Sequence, residues 1–327
     1  MAAIDEPRLP TEVMLLIVEA VLPANPEAIV PTSHSSARTL LSLARVSRAT
    51  YEAASRLLRR RCMHLESSRR LADVLLCMPR LVPTLPPVPS LRHMTTLYLK
   101  PFGASLDDLP TAMWVRELLC ETGETLRRLV VDMPFGSLHV LDDHLNVKKQ
   151  LRQGFEQLQR LEEFVCLGDY PSLSLAGGET DVWRLWPELR RLTLFQAPLD
   201  NHWLWWDIAT LPRLSHVVLA RPASARGANV KEQYFAKLPR GDARLDRRIT
   251  VVLVDDAARQ GHGELATARW REIDPAGRMT VAVYGVPRAC RADETLGELE
   301  LVTEWARRRA LDGSLWQWVG EEVRASD

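Results

Sequence analysis

The amino-terminal part of the chain contains a predicted helix that is apolar on nearly every face. The segment from Pro10 to Leu22 reads PTEVMLLIVEAVL. Its only polar side chains are Thr11, Glu12 and Glu19. A surface helix needs only one apolar stripe, so a helix that is apolar all round must be covered on two sides. A short amino-terminal unit cannot cover both sides itself, and we therefore expect one face to bind a partner protein.

Two further amphipathic helices are predicted behind this one. The segment 23–36 contains three prolines and three serines and reads as a long loop. Ser35 or Ser36 can cap the second helix, and the third helix follows Ser47. The apolar positions that mark the two helices are Leu40, Leu43, Ala44, Tyr51, Ala54 and Leu58.

The rest of the chain repeats the pattern apolar-x-x-apolar-x-apolar. The pattern starts at Met94, Leu126, Leu161, Leu189 and Leu214, and two β-rich runs at 249–254 and 279–283 continue it. Recurrence at intervals of about 25–35 residues is typical of stacked strand-plus-helix units. Helices are predicted in the gaps, at 106–120, 140–158 and 231–238. Strands that alternate with helices favour parallel pairing, and the sequence therefore predicts an α/β fold.

The two ends of this region have their own features. Residues 62–65 read as a strand and residues 67–78 as a helix, and a proline-rich link follows. The chain closes with a helix predicted over 294–311, followed by Trp316 and Trp318. We expect this segment to be a terminal cap over the last repeat, because an uncapped array exposes its core.

Composition and charge exclude several classes of function. The 42 basic and 42 acidic side chains give zero net charge, which argues against a general nucleic-acid binder. No run of about 18 apolar residues predicts a membrane span, and the amino terminus does not resemble a secretory signal. Five widely spaced cysteines without a CxxC pattern favour reduced thiols in an intracellular protein, cytoplasmic or nuclear. A basic run between Arg56 and Arg70 is interpreted as a solvated helix face rather than an anion-binding patch.

Sequence motifs for catalysis are missing. The chain has no Walker loop, GxGxxG, GxSxG or HExxH motif, so an α/β enzyme with a helical cap is the least favoured alternative. His139 and His144 flank Asp142 and Asp143, but no third ligand cluster is near in sequence. The short polar segment 261–264 is interpreted as a loop. We expect no catalytic residue, metal or cofactor.

The segment His202–Asp207, HWLWWD, has the most unusual local composition. We interpret it as a buried helix between repeats, with Trp203 and Trp206 packed inward and Trp205 partly exposed. The alternative is a surface that recruits a protein, since aromatic side chains are favoured at binding hot spots. Trp205 is the first candidate for such a substrate-binding residue.

The amino-terminal pattern resembles an F-box of the fungal type. The resemblance covers residues 8–60 and rests on Leu9-Pro10-x-Glu12-Val13, Leu40–Leu43, Val46-Ser47-Arg48 and Tyr51. The region behind it is similar to the degenerate leucine-rich-repeat tails that many such proteins carry, although the Asn of typical repeats is missing. Tyr51 also stands where many F-boxes have Trp.

The resemblance implies a substrate-recognition subunit of an SCF-type cullin–RING ubiquitin ligase. In such a complex the F-box binds a Skp-type linker protein, and the repeats hold an unknown protein substrate. The receptor is not an enzyme, because it acts by bringing the target close to a charged conjugating enzyme. The alternative is an F-box scaffold that binds the linker without ligase activity.

The implied organisation has four parts: an F-box-like helical domain at 8–60, a first repeat and proline-rich link at 61–90, an irregular leucine-rich-repeat-like solenoid of parallel strands and helices at 91–292, and a helical cap at 293–327. The residues that the resemblance implies for linker binding are Leu9, Pro10, Glu12, Val13, Leu16, Ile17, Leu43, Val46 and Ser47. The alternative for Val13, Leu16 and Ile17 is that they form the core of a small helical cap on the repeats.

Overall fold

The fold is α/β, with a nine-stranded sheet and ten helices in the described part of the chain. A computed structural model describes residues 9–76, 91–175, 180–223, 229–239, 241–256, 269–287, 297–318 and 320–323. The helices are α1 Thr11–Ala20, α2 Ser35–Leu43, α3 Arg48–Arg61, α4 Ser68–Leu76, α5 Leu109–Thr122, α6 Val147–Phe155, α7 His202–Thr210, α8 Val230–Phe235, α9 Trp270–Ile273 and α10 Glu298–Asp312. The strands are β1 His64–Leu65, β2 Thr96–Leu99, β3 Arg128–Asp132, β4 Glu163–Leu167, β5 Arg191–Phe195, β6 His216–Ala220, β7 Ile249–Asp256, β8 Met279–Val286 and β9 Glu321–Glu322.

The strands lie in the sheet in the same order as in the chain. Strands β1 to β8 are all parallel, and β9 pairs antiparallel with β8. Equivalent positions of the repeated pattern pair with one another, so that Leu129 lies opposite Phe164 and Leu192 opposite Val217. The prediction of parallel strands at the repeated pattern is confirmed.

One face of the sheet packs against helices α4 to α9 and the 3₁₀ turns between them. Alternate strand residues such as Leu129 and Val131 point into this layer and are completely buried. Parallel strands are usually covered on both faces, which requires apolar side chains on the intervening positions too. Val130 and Val165 are such positions, and they are equally buried on the other face.

The closing helix, α10, covers this second face of the sheet. It buries Leu301, Val302 and Trp305 against strand residues of β2 to β8. The expectation that the closing helix is a cap over the last repeat is therefore wrong, because the second face of the sheet offers a larger apolar surface than its end. The end of the sheet is instead closed by β9, and Trp318 packs against Tyr284 in β8.

Helix α10 runs antiparallel to the parallel strands. Its first residue, Glu298, pairs with Arg221 just after β6, and near its end Ala310 accepts a hydrogen bond from Arg128 at the start of β3. The helix also contacts strands far apart in the sheet, because Arg307 binds Asp132 in β3 and Trp305 stacks on Tyr284 in β8.

The sheet must curve for α10 to make these contacts. Six adjacent strands in a flat sheet would span about 24 Å. A helix with its side chains is only about 10–12 Å wide. Since α10 contacts both β3 and β8, the strands between them wrap around it.

Helices α1, α2 and α3 form a separate small core at the amino terminus. The core consists of Val18, Val30, Ala37, Leu40, Ala54 and Cys62. The Ser36 hydroxyl donates to the carbonyl oxygen of Val21 at 2.7 Å and holds α2 against the end of α1. The three predicted helices and the loop between the first two are confirmed, but His34 rather than a serine caps α2.

The loop between α1 and α2, residues 23–34, connects this unit to α10. The Ile29 side chain is buried beneath α10, and its N–H donates to the carbonyl oxygen of Leu311 at 2.7 Å. Asn25 Nδ2 donates to the carbonyl oxygen of Asp312 at 2.6 Å. Gly313 ends α10 with a φ of 78°, and a Cβ there would lie 2.7 Å from Asn25 Nδ2. The loop is thus held in place by the last turn of α10.

Two predicted helices begin later than expected because an aspartate caps them. Asp108 accepts a hydrogen bond from the N–H of Thr111, so α5 begins at Leu109. Asp143 accepts hydrogen bonds from the N–H groups of Val147 and Lys148, so residues 140–146 form turns before α6. Helix α8 is also shorter than predicted, and residues 77, 78 and 294–296 of two other predicted helices lie outside the described residues.

Candidate functional site

Helix α1 exposes an apolar face. The exposed fractions of Val13, Leu16 and Ile17 are 38%, 65% and 44%, and Leu9, which precedes the helix, is 57% exposed. The spacing of Val13, Leu16 and Ile17, three and one residues, places these three side chains on one side of the helix. Exposed apolar patches of this kind mark interaction surfaces in soluble proteins.

The opposite side of α1 packs on the amino-terminal core. Val18 is completely buried there, and Met14 and Leu15 are half-buried. The interpretation of Val13, Leu16 and Ile17 as a core is therefore wrong, because α2 and α3 cover only one side of α1. Pro10 precedes the helix, and the Glu12 carboxylate lies in its first turn, where the helix dipole favours a negative charge.

The remaining predicted linker-binding residues divide into two groups. Val46, in the turn between α2 and α3, is 64% exposed. Leu43 is half-buried against the amino-terminal core. The Ser47 hydroxyl accepts the N–H of Thr50 and caps α3, so its side chain is occupied within the chain. Leu43 and Ser47 are therefore structural residues of the helical unit.

Two exposed side chains of this unit are not among the predicted linker-binding residues. Leu41 is 54% exposed and Tyr51 is 44% exposed. Leu41 follows the completely buried Leu40, and successive helical residues point about 100° apart, so the pattern of burial in α2 gives the signal. We name the exposed set Leu9, Val13, Leu16, Ile17, Leu41, Val46 and Tyr51 the amino-terminal apolar surface.

Trp203 and Trp205 of α7 have the reverse orientation to the one predicted, whereas Trp206 is partly buried against the core of the array, as expected. Trp205 is completely buried, and its indole N–H donates to the carbonyl oxygen of Leu199 at 2.7 Å. Trp203 is 64% exposed. The prediction of Trp205 as a partly exposed, substrate-binding residue is wrong, because α7 turns that position towards the sheet. Trp203 is the exposed aromatic side chain of this helix.

Two largely buried carboxylates, Asp132 and Asp207, have arginine partners within the protein. Burial raises the pKa of Asp132, but Arg307 and Lys100 outweigh this effect and hold the pKa below its ordinary value. Burial raises the pKa of Asp207 to about 7, although Arg184 Nη1 lies 3.3 Å away and opposes the shift.

The other sequence candidates have local roles. His139 Nδ1 accepts the N–H of Leu141 at 3.3 Å, and Asp143 caps α6. Among the described residues, no group of three or more His, Cys, Asp or Glu side chains is arranged to hold a metal ion. The segment 261–264, together with Cys77 and Cys290, lies outside the described residues. Cys62 and Cys166 are buried free thiols, and burial raises the pKa of Cys62 to about 11.

None of the helices in the described ranges is both long enough and apolar enough to span a membrane.

The arginines of the basic run in α3 differ in exposure. Arg56 and Arg60 are exposed, whereas Arg61 Nε donates to the carbonyl oxygen of Ala28 at 2.9 Å.

No model of a known protein family matches the chain, and no curated protein sequence matches it either.

Proposed function

We propose that this protein is a substrate-recognition subunit of an SCF-type cullin–RING ubiquitin ligase in the cytoplasm or nucleus. Residues 8–60 would be its F-box-like unit, and the strand-and-helix array would be a degenerate leucine-rich-repeat solenoid. The observation that carries the proposal is the exposed apolar face of α1, which has the Leu-Pro-x-Glu-Val start that resembles an F-box. A Skp-type linker protein is the partner that this resemblance implies.

The energetics of the amino-terminal apolar surface favour a protein partner. Fully burying one Leu or Ile side chain contributes about 1.5–3 kcal/mol. Leu9, Leu16 and Ile17 are each about half exposed or more, so a partner that covers them gains several kcal/mol. Leu41 and Val46 are two further exposed apolar side chains, in α2 and in the turn after it.

The target protein would be held by a surface of the array that α10 leaves open. Helix α10 covers the face of the sheet opposite helices α4 to α9, so apolar strand residues such as Val130 and Val165 are out of reach of a target. Exposed Trp203 takes the place of Trp205 as the first candidate for target contact, since a large exposed aromatic side chain gains much from burial.

The receptor would act by proximity and not by bond chemistry. One chain that binds both the linker and a target raises the effective concentration of a target lysine near the conjugating enzyme. The loop at 23–34 fits this role, because its hydrogen bonds to Leu311 and Asp312 fix the helical unit relative to the sheet. A fixed relative orientation keeps the linker-bound and target-bound surfaces at one distance.

The test is co-precipitation of the full chain with a Skp-type linker protein and a cullin. We expect the wild type to bind both and the Leu16→Ala/Ile17→Ala variant to lose at least tenfold in linker affinity. Leu141→Ala/Leu145→Ala is the matched control, because it also truncates two exposed apolar side chains but lies outside α1 to α3. Failure of the wild type to bind the linker would reject the proposal, and linker binding without cullin would favour the scaffold alternative.

A further inference from the structure

A positively charged cleft lies where the helical unit meets the sheet. It has a volume of about 250 Å³ and is lined by the end of α3, the loop after α1 and the amino-terminal ends of β2 to β5. Six of its lining residues are arginines: Arg60, Arg61, Arg127, Arg128, Arg190 and Arg191. Three are glutamates, Glu27, Glu162 and Glu163, so the formal charge of the lining is six minus three, or +3.

The inner arginines of the cleft are used to hold the protein together. Arg128 pairs with Glu163 and donates to the carbonyl oxygens of Glu27 and Ala310. Arg191 lies 3.4 Å from carboxylate oxygens of both Glu27 and Glu163. Two of the three glutamates are thus neutralised by arginines that have structural roles.

The outer arginines are not used in this way. Arg60 and Arg190 are exposed, and within the described residues neither lies within 4.0 Å of a carboxylate. Arg127 is 44% exposed and pairs with Glu162 at 3.1 Å, also at the surface. The guanidinium of Arg61 donates to the carbonyl oxygens of Asn25 and Ala28. The rest of the unbalanced positive charge, on Arg60 and Arg190, is therefore on the solvent side of the cleft, where a ligand could reach it.

The strand register places these outer arginines close together. Arg127 and Arg190 directly precede β3 and β5, which are separated by β4 alone. Strands lie about 4.8 Å apart, so the two backbone positions are about 10 Å apart, within the combined reach of two arginine side chains. Arg60 lies on the other side of Arg127, because its carbonyl oxygen accepts a hydrogen bond from Thr96 at the start of β2.

We propose that this cleft binds a phosphate-bearing anion between Arg60, Arg127 and Arg190. Guanidinium groups form paired hydrogen bonds to phosphate oxygens and keep their charge at every physiological pH. A dianionic group suits the lining better than a single carboxylate, because three outer arginines face it and only one has a partner. The proposal does not depend on binding of a linker protein.

Substitution of Glu162 is the most direct test of the proposed anion site. This residue directly precedes β4, between Arg127 and Arg190, and occupies Arg127 in the free protein. An incoming anion must compete with the Glu162 carboxylate for Arg127. Removing that negative charge should therefore tighten anion binding, whereas a surface that binds no anion would not respond.

The experiment measures binding to the full chain by calorimetry, with inorganic pyrophosphate, a phosphoserine peptide and the same peptide without phosphate. We expect the Arg60→Ala/Arg190→Ala variant to weaken binding at least tenfold and Glu162→Gln to strengthen it about threefold or more. Arg213→Ala is the matched control, because Arg213 is 52% exposed and pairs with Glu188 outside the cleft. Thermal unfolding of each variant checks that the fold is retained.

Each outcome has a defined meaning. Binding of pyrophosphate and the phosphopeptide with equal affinity indicates a free phosphate compound as the ligand, and a preference for the phosphopeptide indicates a phosphorylated protein. Equal loss in Arg213→Ala and Arg60→Ala/Arg190→Ala, no response to Glu162→Gln, or no binding of either phosphate probe would overturn the proposal.

Discussion

Arg128 Nε lies 2.5 Å from Glu163 Oε1, and their side chains are only 6% and 7% exposed. The pair joins β3 to β4, and the same arginine donates to the carbonyl oxygen of Ala310 at the end of α10. Breaking a buried pair leaves one charge without compensation. We therefore expect Glu163→Ala to lower the free energy of unfolding by about 3–5 kcal/mol, measured by urea denaturation.

The preceding residues of the same two strands supply the control for this prediction. Arg127 and Glu162 form an ion pair at 3.1 Å, but their side chains are 44% and 38% exposed. Exposed pairs contribute about 0–1 kcal/mol. A loss in Glu162→Ala as large as in Glu163→Ala would contradict the conclusion that the Arg128–Glu163 pair stabilises the fold more than the Arg127–Glu162 pair does.

The two tryptophans of α7 should differ strongly in their contribution to stability. Trp205→Ala removes a completely buried ring and its hydrogen bond to Leu199, and we expect a loss of about 3–5 kcal/mol. Trp203→Ala removes a ring that is mostly in water, and we expect a change within about 0.5 kcal/mol. Denaturation curves of the two variants give both free energies of unfolding, and equal losses would show that α7 has another orientation.

A similar contrast is expected in α1. Val18→Ala removes methyl groups from the amino-terminal core and should cost about 1–3 kcal/mol. Leu16→Ala should change the free energy of unfolding by about 0.5 kcal/mol or less, because Leu16 is 65% exposed in the free chain. A large loss in Leu16→Ala, measured without any partner present, would place this side chain in a core.

Asp207 should make the stability depend on pH. Its pKa is raised from 3.8 in the unfolded chain to about 7 in the folded protein, chiefly by burial. The unfolded chain therefore loses this proton at lower pH than the folded protein does, and the free energy of unfolding falls as the pH rises from about 4 to about 7. The stabilisation is fully present below the lower pKa and is lost above the higher one.

The Asp207→Asn variant tests this sign. The asparagine cannot ionise, so we expect the variant to gain roughly 1–3 kcal/mol relative to the wild type between pH 4 and pH 7.5. The measurement is the difference between the two unfolding free energies across that range, which removes the pH dependence of all other groups. A difference that stays constant with pH, or that changes in the opposite direction, would contradict the raised pKa.

The strands could be predicted from the sequence, because each repeats a local pattern that needs no distant information. Leu129, Phe164, Leu192 and Val217 occupy the same place in that pattern, and each pairs with the next across adjacent strands. The position of α10 could not be predicted in this way. Its apolar residues, such as Trp305, show that the helix must be covered, but the covering face is assembled from strands β2 to β8, which are spread over residues 96–286 of the chain.

The candidate site was predictable to a similar degree. Excess apolar character in α1 indicated an exposed face, and Leu16 and Ile17 lie on it. The orientation of α7 was not predictable, because three tryptophans in four residues place a large apolar side chain on every side. The arginines of the cleft were visible as separate pairs, but only the parallel register brings Arg127 and Arg190 to the same edge.

The place of α10 at the end of the chain has a consequence for synthesis of the protein. Arrays in which each unit touches only its neighbours can fold unit by unit as they are made. Here the second face of the sheet is covered by residues 298–312, which leave the ribosome after all eight parallel strands. Apolar side chains such as Val130 and Val165 stay uncovered until then, so the nascent chain is the state of this protein that most needs a chaperone.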